Sequence, residues 1–130
     1  MGKIIIASGP VIVQENKVLL NMHGDTDFWK FCGGQVQPEE TLKETAIRRS
    51  KEESGINIEI INDQPFLSYT KKETPQGVFD VLLVHYLAQT KDEIRPGTGI
   101  RETAWHQIDN LPENLAPNIL PALKYFGFIK

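Results

Sequence analysis

The stretch FCGGQVQPEETLKETAIRRSKEESGI, residues 31–56, gathers Glu39, Glu40, Glu44, Glu52 and Glu53 around a glycine pair and a run of helix formers. On a helix, residues three and four apart share a face, so positions 49, 52 and 53 point together. Clustered carboxylates repel one another unless a cation neutralises them. Hard oxygen ligands suit Mg²⁺ or Mn²⁺. Such an ion can hold substrate phosphates, polarise a phosphoryl oxygen and lower the pKa of an attacking water. An adjacent Glu pair alone describes a solvated helix face. The glycine entry and the Gly55 stop raise this one to a candidate metal–diphosphate site.

Two adjacent arginines interrupt the run. Arg48 stands four residues after Glu44 and four before Glu52, so a helix-surface ion-pair ladder is available to it, a bracing role. Arg49 falls on the carboxylate face. A guanidinium is protonated throughout the accessible pH range, so it neither ligates a metal nor acts as a base. It can pair with Glu52 and Glu53 and compete with a metal for them. The Ser50 hydroxyl is expected to bond back to the Ile47 or Ala46 carbonyl.

The elements that must position these groups are legible in outline. KIIIASGPVIV is β-branched, with a break expected at Gly9-Pro10, and KVLLNM follows it after a hairpin turn at QEN. Residues 23–27 read as a polar loop, and FWKFCGG as an aromatic strand entering a glycine turn. Thr41 with Glu44 forms a capping box, Leu42, Ala46 and Ile47 recur at helical spacing, and Gly55 ends the helix. INIEII and PFLSYT read as strands, 71–77 as a hairpin loop, and VFDVLLVHYLAQ as the central strand. Residues 90–100 read as a loop, ETAWHQI as a strand, and 118–126 as a closing helix after Pro117. Strands, helix, strands, helix predict a mixed α/β fold in one domain over 1–130.

With these residues in view, the chain resembles a Nudix hydrolase. The family box G-x5-E-x7-R-E-U-x-E-E-x-G-U, with U aliphatic, places Gly34, Glu40, Arg48, Glu52, Glu53, Gly55 and Ile56 on seven of its nine defined positions over 23 residues. Arg49 replaces the Glu after the first Arg, and Ser50 replaces an aliphatic residue. Cys32 stands where the family often has Pro. The resemblance implies an α/β/α sandwich with a mixed sheet between helices. It implies hydrolysis of a nucleoside diphosphate linked to another moiety with Mg²⁺ or Mn²⁺, weakened here by Arg49. It further implies Glu53 and Glu52 as metal ligands and catalytic groups, with the Gly33 carbonyl as a further ligand. Glu102, three residues before Trp105, has the place of another ligand or base. Arg48 and Glu40 would hold the loop that binds substrate beside Gly34. The altered box keeps two other readings open: a nucleotide-binding module without efficient turnover, and a protein-interaction domain.

The bulk properties fit an ordinary soluble domain. Net charge is −3, which argues against general nucleic-acid binding but not against a small nucleotide. Cys32 is the only cysteine, so no internal disulfide forms, and a cytoplasmic, reducing compartment follows as the expectation. The apolar start is too short to span a membrane. Gly2 precedes Ile6 where a myristoylation motif wants Ser or Thr. The resemblance also points to a homodimer. Among the aromatics, Phe28, Trp29, Phe31, Tyr69, Phe79 and Tyr86 could include a base-stacking platform, though most should be core. Lys3, Arg95 and Arg101 are candidate phosphate contacts. His23, His85 and His106 show no metal spacing.

Overall fold

The computed structural model describes residues 3–130; Gly2 lies outside them. Seven strands form the sheet: β1 (Lys3–Gln14), β2 (Lys17–His23), β3 (Gly34–Gln35), β4 (Glu59–Ile60), β5 (Phe66–Thr74), β6 (Gly77–Gln89) and β7 (Ile100–Gln107). Helix α1 (Leu42–Ser54) follows β3, and α2 (Ile119–Tyr125) closes the chain. The order is β4-β6-β1-β2-β7, with β3 on β1 and β5 on β6. The β1–β6 pair is parallel and the rest are antiparallel, so the sheet is mixed, as expected.

The two faces of the sheet bury different side chains, because alternate residues point opposite ways. Val11, Val18 and Leu20 pack with Ile119, Ala122 and Leu123 of α2. Ile12 and Leu19 face the other way, against Cys32, Ile56 and Ala88. Helix α1 lies across β1 on that second side, where the Ser8 hydroxyl donates to the Leu42 carbonyl at 2.6 Å. No helix among the described residues is long and apolar enough to cross a membrane.

Several boundaries differ from expectation. β1 runs unbroken through Gly9-Pro10, pairing with β6 from Lys3 to Ile12. On its other edge β3 pairs at Ala7–Ser8 and β2 at Val13–Gln14, so Pro10 falls in the gap between them. A residue without an N–H costs nothing at an unpaired edge. Gly9 is needed for close approach: a Cβ there would meet the Cys32 carbonyl oxygen at 1.8 Å. In FWKFCGG, Trp29 and Lys30 are held by isolated bridges to Leu115 and Asn21, and a strand begins only at Gly34. INIEII pairs only at Glu59–Ile60, and the hairpin over 71–77 tightens to the turn between Thr74 and Gly77.

Candidate functional site

Local sequence sets α1 firmly. The Thr41 hydroxyl accepts from the Glu44 N–H while the Glu44 carboxylate accepts from the Thr41 N–H, and Gly55 ends the helix at φ 69°. That left-handed conformation costs glycine little. The 90–99 loop then caps the helix end: the Arg95 N–H donates to the Ser54 carbonyl and the Gly97 N–H to the Glu53 carbonyl. These bonds satisfy carbonyls that a helix end leaves orphaned, and they fix the turn carrying Glu52 and Glu53.

Arg48 braces the loop before the helix. Its Nε donates to Glu40 Oε2 at 2.7 Å, Nη1 to Glu52 Oε1 at 2.8 Å and Nη2 to the Gln35 carbonyl at 3.2 Å. Glu40 also accepts from the Thr45 hydroxyl. The Arg48 and Thr45 donors hold the Glu40 carboxyl down at about 2. The ladder expected from Glu44 forms only toward Glu52, because Glu44 is used in the capping box.

Glu53 is the centre of the other side. Its residue is 1% exposed. Oε1 accepts from the Gly33 N–H at 2.7 Å, and Oε2 faces His23 Nε2 at 3.1 Å and Arg49 Nη2 at 3.4 Å. Oε2 is buried, yet no donor is aligned for a hydrogen bond to it. Burial pushes the Glu53 carboxyl up, opposed by the Gly33 N–H, Arg49 and His23. Arg49 also reaches two further oxygens: Nε donates to the Gly33 carbonyl at 3.2 Å and Nη1 to Glu52 Oε1 at 2.9 Å. The structure therefore brings Gly33, Arg49, Glu52 and Glu53 together.

Glu102 does not join them. On β7, Thr103 faces α1, with its hydroxyl 3.1 Å from that of Ser54, so Glu102 projects from the other face, opposite Met22. Ser50 is fully buried and its hydroxyl donates back to the Ala46 carbonyl at 2.7 Å. Cys32 is buried between Asn21 and Ser54, and burial pushes its thiol up to about 12, so it is an inert packing group.

A cavity of about 320 Å³ opens against the glycine turn. Phe28, Phe31, Leu83 and Pro117 supply apolar lining and His85 and Asn118 a polar end, and Gly33, Gly34, His23 and Lys30 also line it. The Phe31 and His85 rings lie 4.9 Å apart, and His85 Nε2 is 2.8 Å from Asn118 Nδ2. Burial lowers His85 to about 4, so this ring is neutral at physiological pH. Of the aromatic candidates, Phe28 and Phe31 reach the cavity. Trp29 is core, Tyr69 is exposed on β5, and Phe79 and Tyr86 lie under Lys3 and Lys43. Lys3, Arg95 and Arg101 all lie elsewhere. Arg95 packs over Gly55, and Arg101 bonds the Thr26 carbonyl.

His23, Lys30, His85 and Asn118 were not singled out by spacing. Each comes from a different element and meets the site only through the fold. The single usable signal was His23 in a polar loop directly preceding the aromatic segment.

The metal expected of this box meets an occupied set of oxygens. The Gly33 carbonyl, Glu52 and Glu53 already face the Arg49 guanidinium, and the described residues hold no cluster of three His, Cys, Asp or Glu side chains suited to a metal. Mg²⁺ bonds its oxygens at about 2.1 Å, so ion and guanidinium exclude one another from that position. As arranged, these residues do not fit a resident divalent ion.

Comparison with known proteins agrees with the architecture. The NUDIX domain family description matches residues 4–126. The mouse oxidized purine nucleoside triphosphate hydrolase is 28% identical over 109 residues, covering 78% of this chain and 65% of that protein. The human nucleoside diphosphate-linked moiety X motif 6 is 38% identical over 69 residues, covering 53% of this chain and 19% of its own length. The chain thus spans less than two thirds of either relative. Among solved structures, a MutT NUDIX hydrolase from Burkholderia pseudomallei superposes with a TM-score of 0.77 at 23% identity, covering 94% of this chain and 97% of its own. A NUDIX-family hydrolase from Clostridium perfringens gives 0.73 at 23% identity, covering 93% and 97%.

Proposed function

Because the chain belongs to the NUDIX family, whose hydrolases act on nucleotide derivatives, we propose that it hydrolyses a nucleoside diphosphate linked to another moiety, with restrained turnover. One observation carries the reading: an apolar cavity with a polar Asn118–His85 end opens directly onto the glycine turn beside Glu53. Ligand pockets combine apolar walls with a few polar groups in this way. In this reading the base occupies the apolar part of the cavity lined by Phe28 and Phe31, with its edge toward Asn118. The diphosphate then falls at the rim, against His23, Lys30 and the outer edge of Arg49.

In the reaction, water forms a bond to one phosphorus and the bridging oxygen leaves with the other. The chain's contribution is to seat the base, neutralise the phosphates and orient the attack. Turnover is restrained because the carboxylate oxygens that would assist the water are already engaged: Glu52 Oε1 accepts from Arg48 and Arg49, and Glu53 Oε2 faces the Arg49 guanidinium and the His23 ring. Those contacts favour a second reading, a nucleotide-binding module that retains the pocket without hydrolysis.

The test is a hydrolysis panel over nucleoside triphosphates, ADP-ribose, nucleotide sugars and dinucleoside polyphosphates, in Mg²⁺, in Mn²⁺ and in EDTA. Slow release of phosphate products from one class supports the enzyme. Saturable ADP binding with no turnover of any compound selects the module. No binding of any of them defeats both.

A further inference from the structure

Arg49 is more than a substitution in the box. Its guanidinium is planar and carries five N–H donors, and it faces three oxygens from two elements: the Gly33 carbonyl, Glu52 Oε1 and Glu53 Oε2. The chain makes room for it there. A Cβ on Gly34 would stand 2.5 Å from Arg49 Nε and 2.9 Å from its Cδ, so only glycine lets the side chain lie against the turn.

Two of the five N–H donors make hydrogen bonds, through Nε and Nη1, and Nη2 adds an ion contact to Glu53; these are its contacts among the described residues. The side chain keeps 27% of its surface in solvent. It borders a second cleft of about 420 Å³, lined with Gly34, Gln37, Pro38 and Arg48. Gly34 borders both this cleft and the apolar cavity, and Arg49 lines the cleft on the far side of that glycine with donors to spare.

We propose that Arg49 is a built-in cation that takes the place of the divalent ion, so that this domain binds diphosphate groups without metal. The inner edge of the guanidinium neutralises Glu52 and Glu53. The outer edge meets phosphate oxygens, as planar guanidinium forks commonly do. The proposal rests on the reading of the site as a diphosphate site, and its test separates the two.

The probes are ADP and Mn²⁺. ADP binding is measured by calorimetry in EDTA and in excess Mg²⁺. Mn²⁺ binding to the ligand-free protein is read from loss of the aqueous Mn²⁺ electron paramagnetic resonance signal. The wild type should bind ADP in EDTA and leave the Mn²⁺ signal unchanged. Arg49→Glu should bind Mn²⁺ and lose ADP binding in EDTA, with binding returning when metal is added. Gly34→Ala displaces the guanidinium while leaving both carboxylates in place, so it should also gain Mn²⁺ binding, and it keeps the test open if Arg49→Glu fails to fold. Wild-type ADP binding that requires metal overturns the proposal. So does wild-type Mn²⁺ binding equal to that of the variants, or no gain in either variant. Absence of ADP binding in every buffer defeats the diphosphate reading itself, while the Mn²⁺ series still decides whether Arg49 keeps metal out.

Discussion

Arg48 and Arg49 are neighbours on α1, yet they serve opposite sides of the same loop. Arg48 turns toward Glu40 and the Gln35 carbonyl and ties the loop before the helix to the helix itself. Arg49 turns toward Gly33, Glu52 and Glu53 and fills the oxygen face. One residue of helix rotates a side chain by about 100°, which is enough to send identical groups to different partners. The two sides touch at Glu52 Oε1, where both arginines donate. The brace retains the box residues and their pairing. The oxygen face retains its carboxylates but not its freedom to take another cation.

The largest effect is expected at Gly9. A Cβ there collides with the Cys32 carbonyl and with Gly33 Cα, so Gly9→Ala should displace the turn that carries the oxygen face, while the Glu40–Arg48 contact lies beyond it. Overpacking against backbone should cost about 3 kcal/mol, checked by urea unfolding. A change too small to resolve would mean that the turn is not held by this contact.

Next comes Arg49→Glu on the substrate panel. Freeing Glu52 and Glu53 from the guanidinium and adding a carboxylate should raise metal-supported hydrolysis by about tenfold, the equivalent of ~1.4 kcal/mol of barrier. An unchanged rate in Mg²⁺ and Mn²⁺ would place the restraint elsewhere.

Arg48→Ala sharpens the other side. It should lower Tm at neutral pH, by less than Gly9→Ala, without opening the oxygen face to Mn²⁺. It should also flatten the acid limb of stability. The Glu40 carboxyl is held at about 2 in the folded chain against an ordinary 4.5. Its contribution is therefore complete above 4.5 and is lost as pH falls toward about 2. Thermal melts across that window should show a steeper loss for the wild type than for the variant.

Ser50 should matter least. Its buried hydroxyl is already satisfied within the helix, so Ser50→Ala removes donor and need together and should shift stability by less than about 1 kcal/mol in denaturant unfolding. A large loss would show that the hydroxyl, and not simply the small volume, is required beneath α1.

What the sequence determined by itself was mostly local. The capping box, the Gly55 stop and the Arg48–Glu52 pair follow from residue types at short separations, where spacing fixes geometry, while the Glu40–Arg48 pair was implied by the family resemblance. The face shared by positions 49, 52 and 53 was legible for the same reason. The tertiary structure decided what spacing could not. It carried β1 through Gly9-Pro10, because the turn at Cys32–Gly33 needs that close approach. It turned Glu102 away from α1 by the alternation of β7, and it brought His23, Lys30, His85 and Asn118 from four separate stretches to one cavity. It also set the Gly33 carbonyl opposite a helix residue sixteen positions later. Such meetings depend on strand order and register, which no single stretch of the chain encodes.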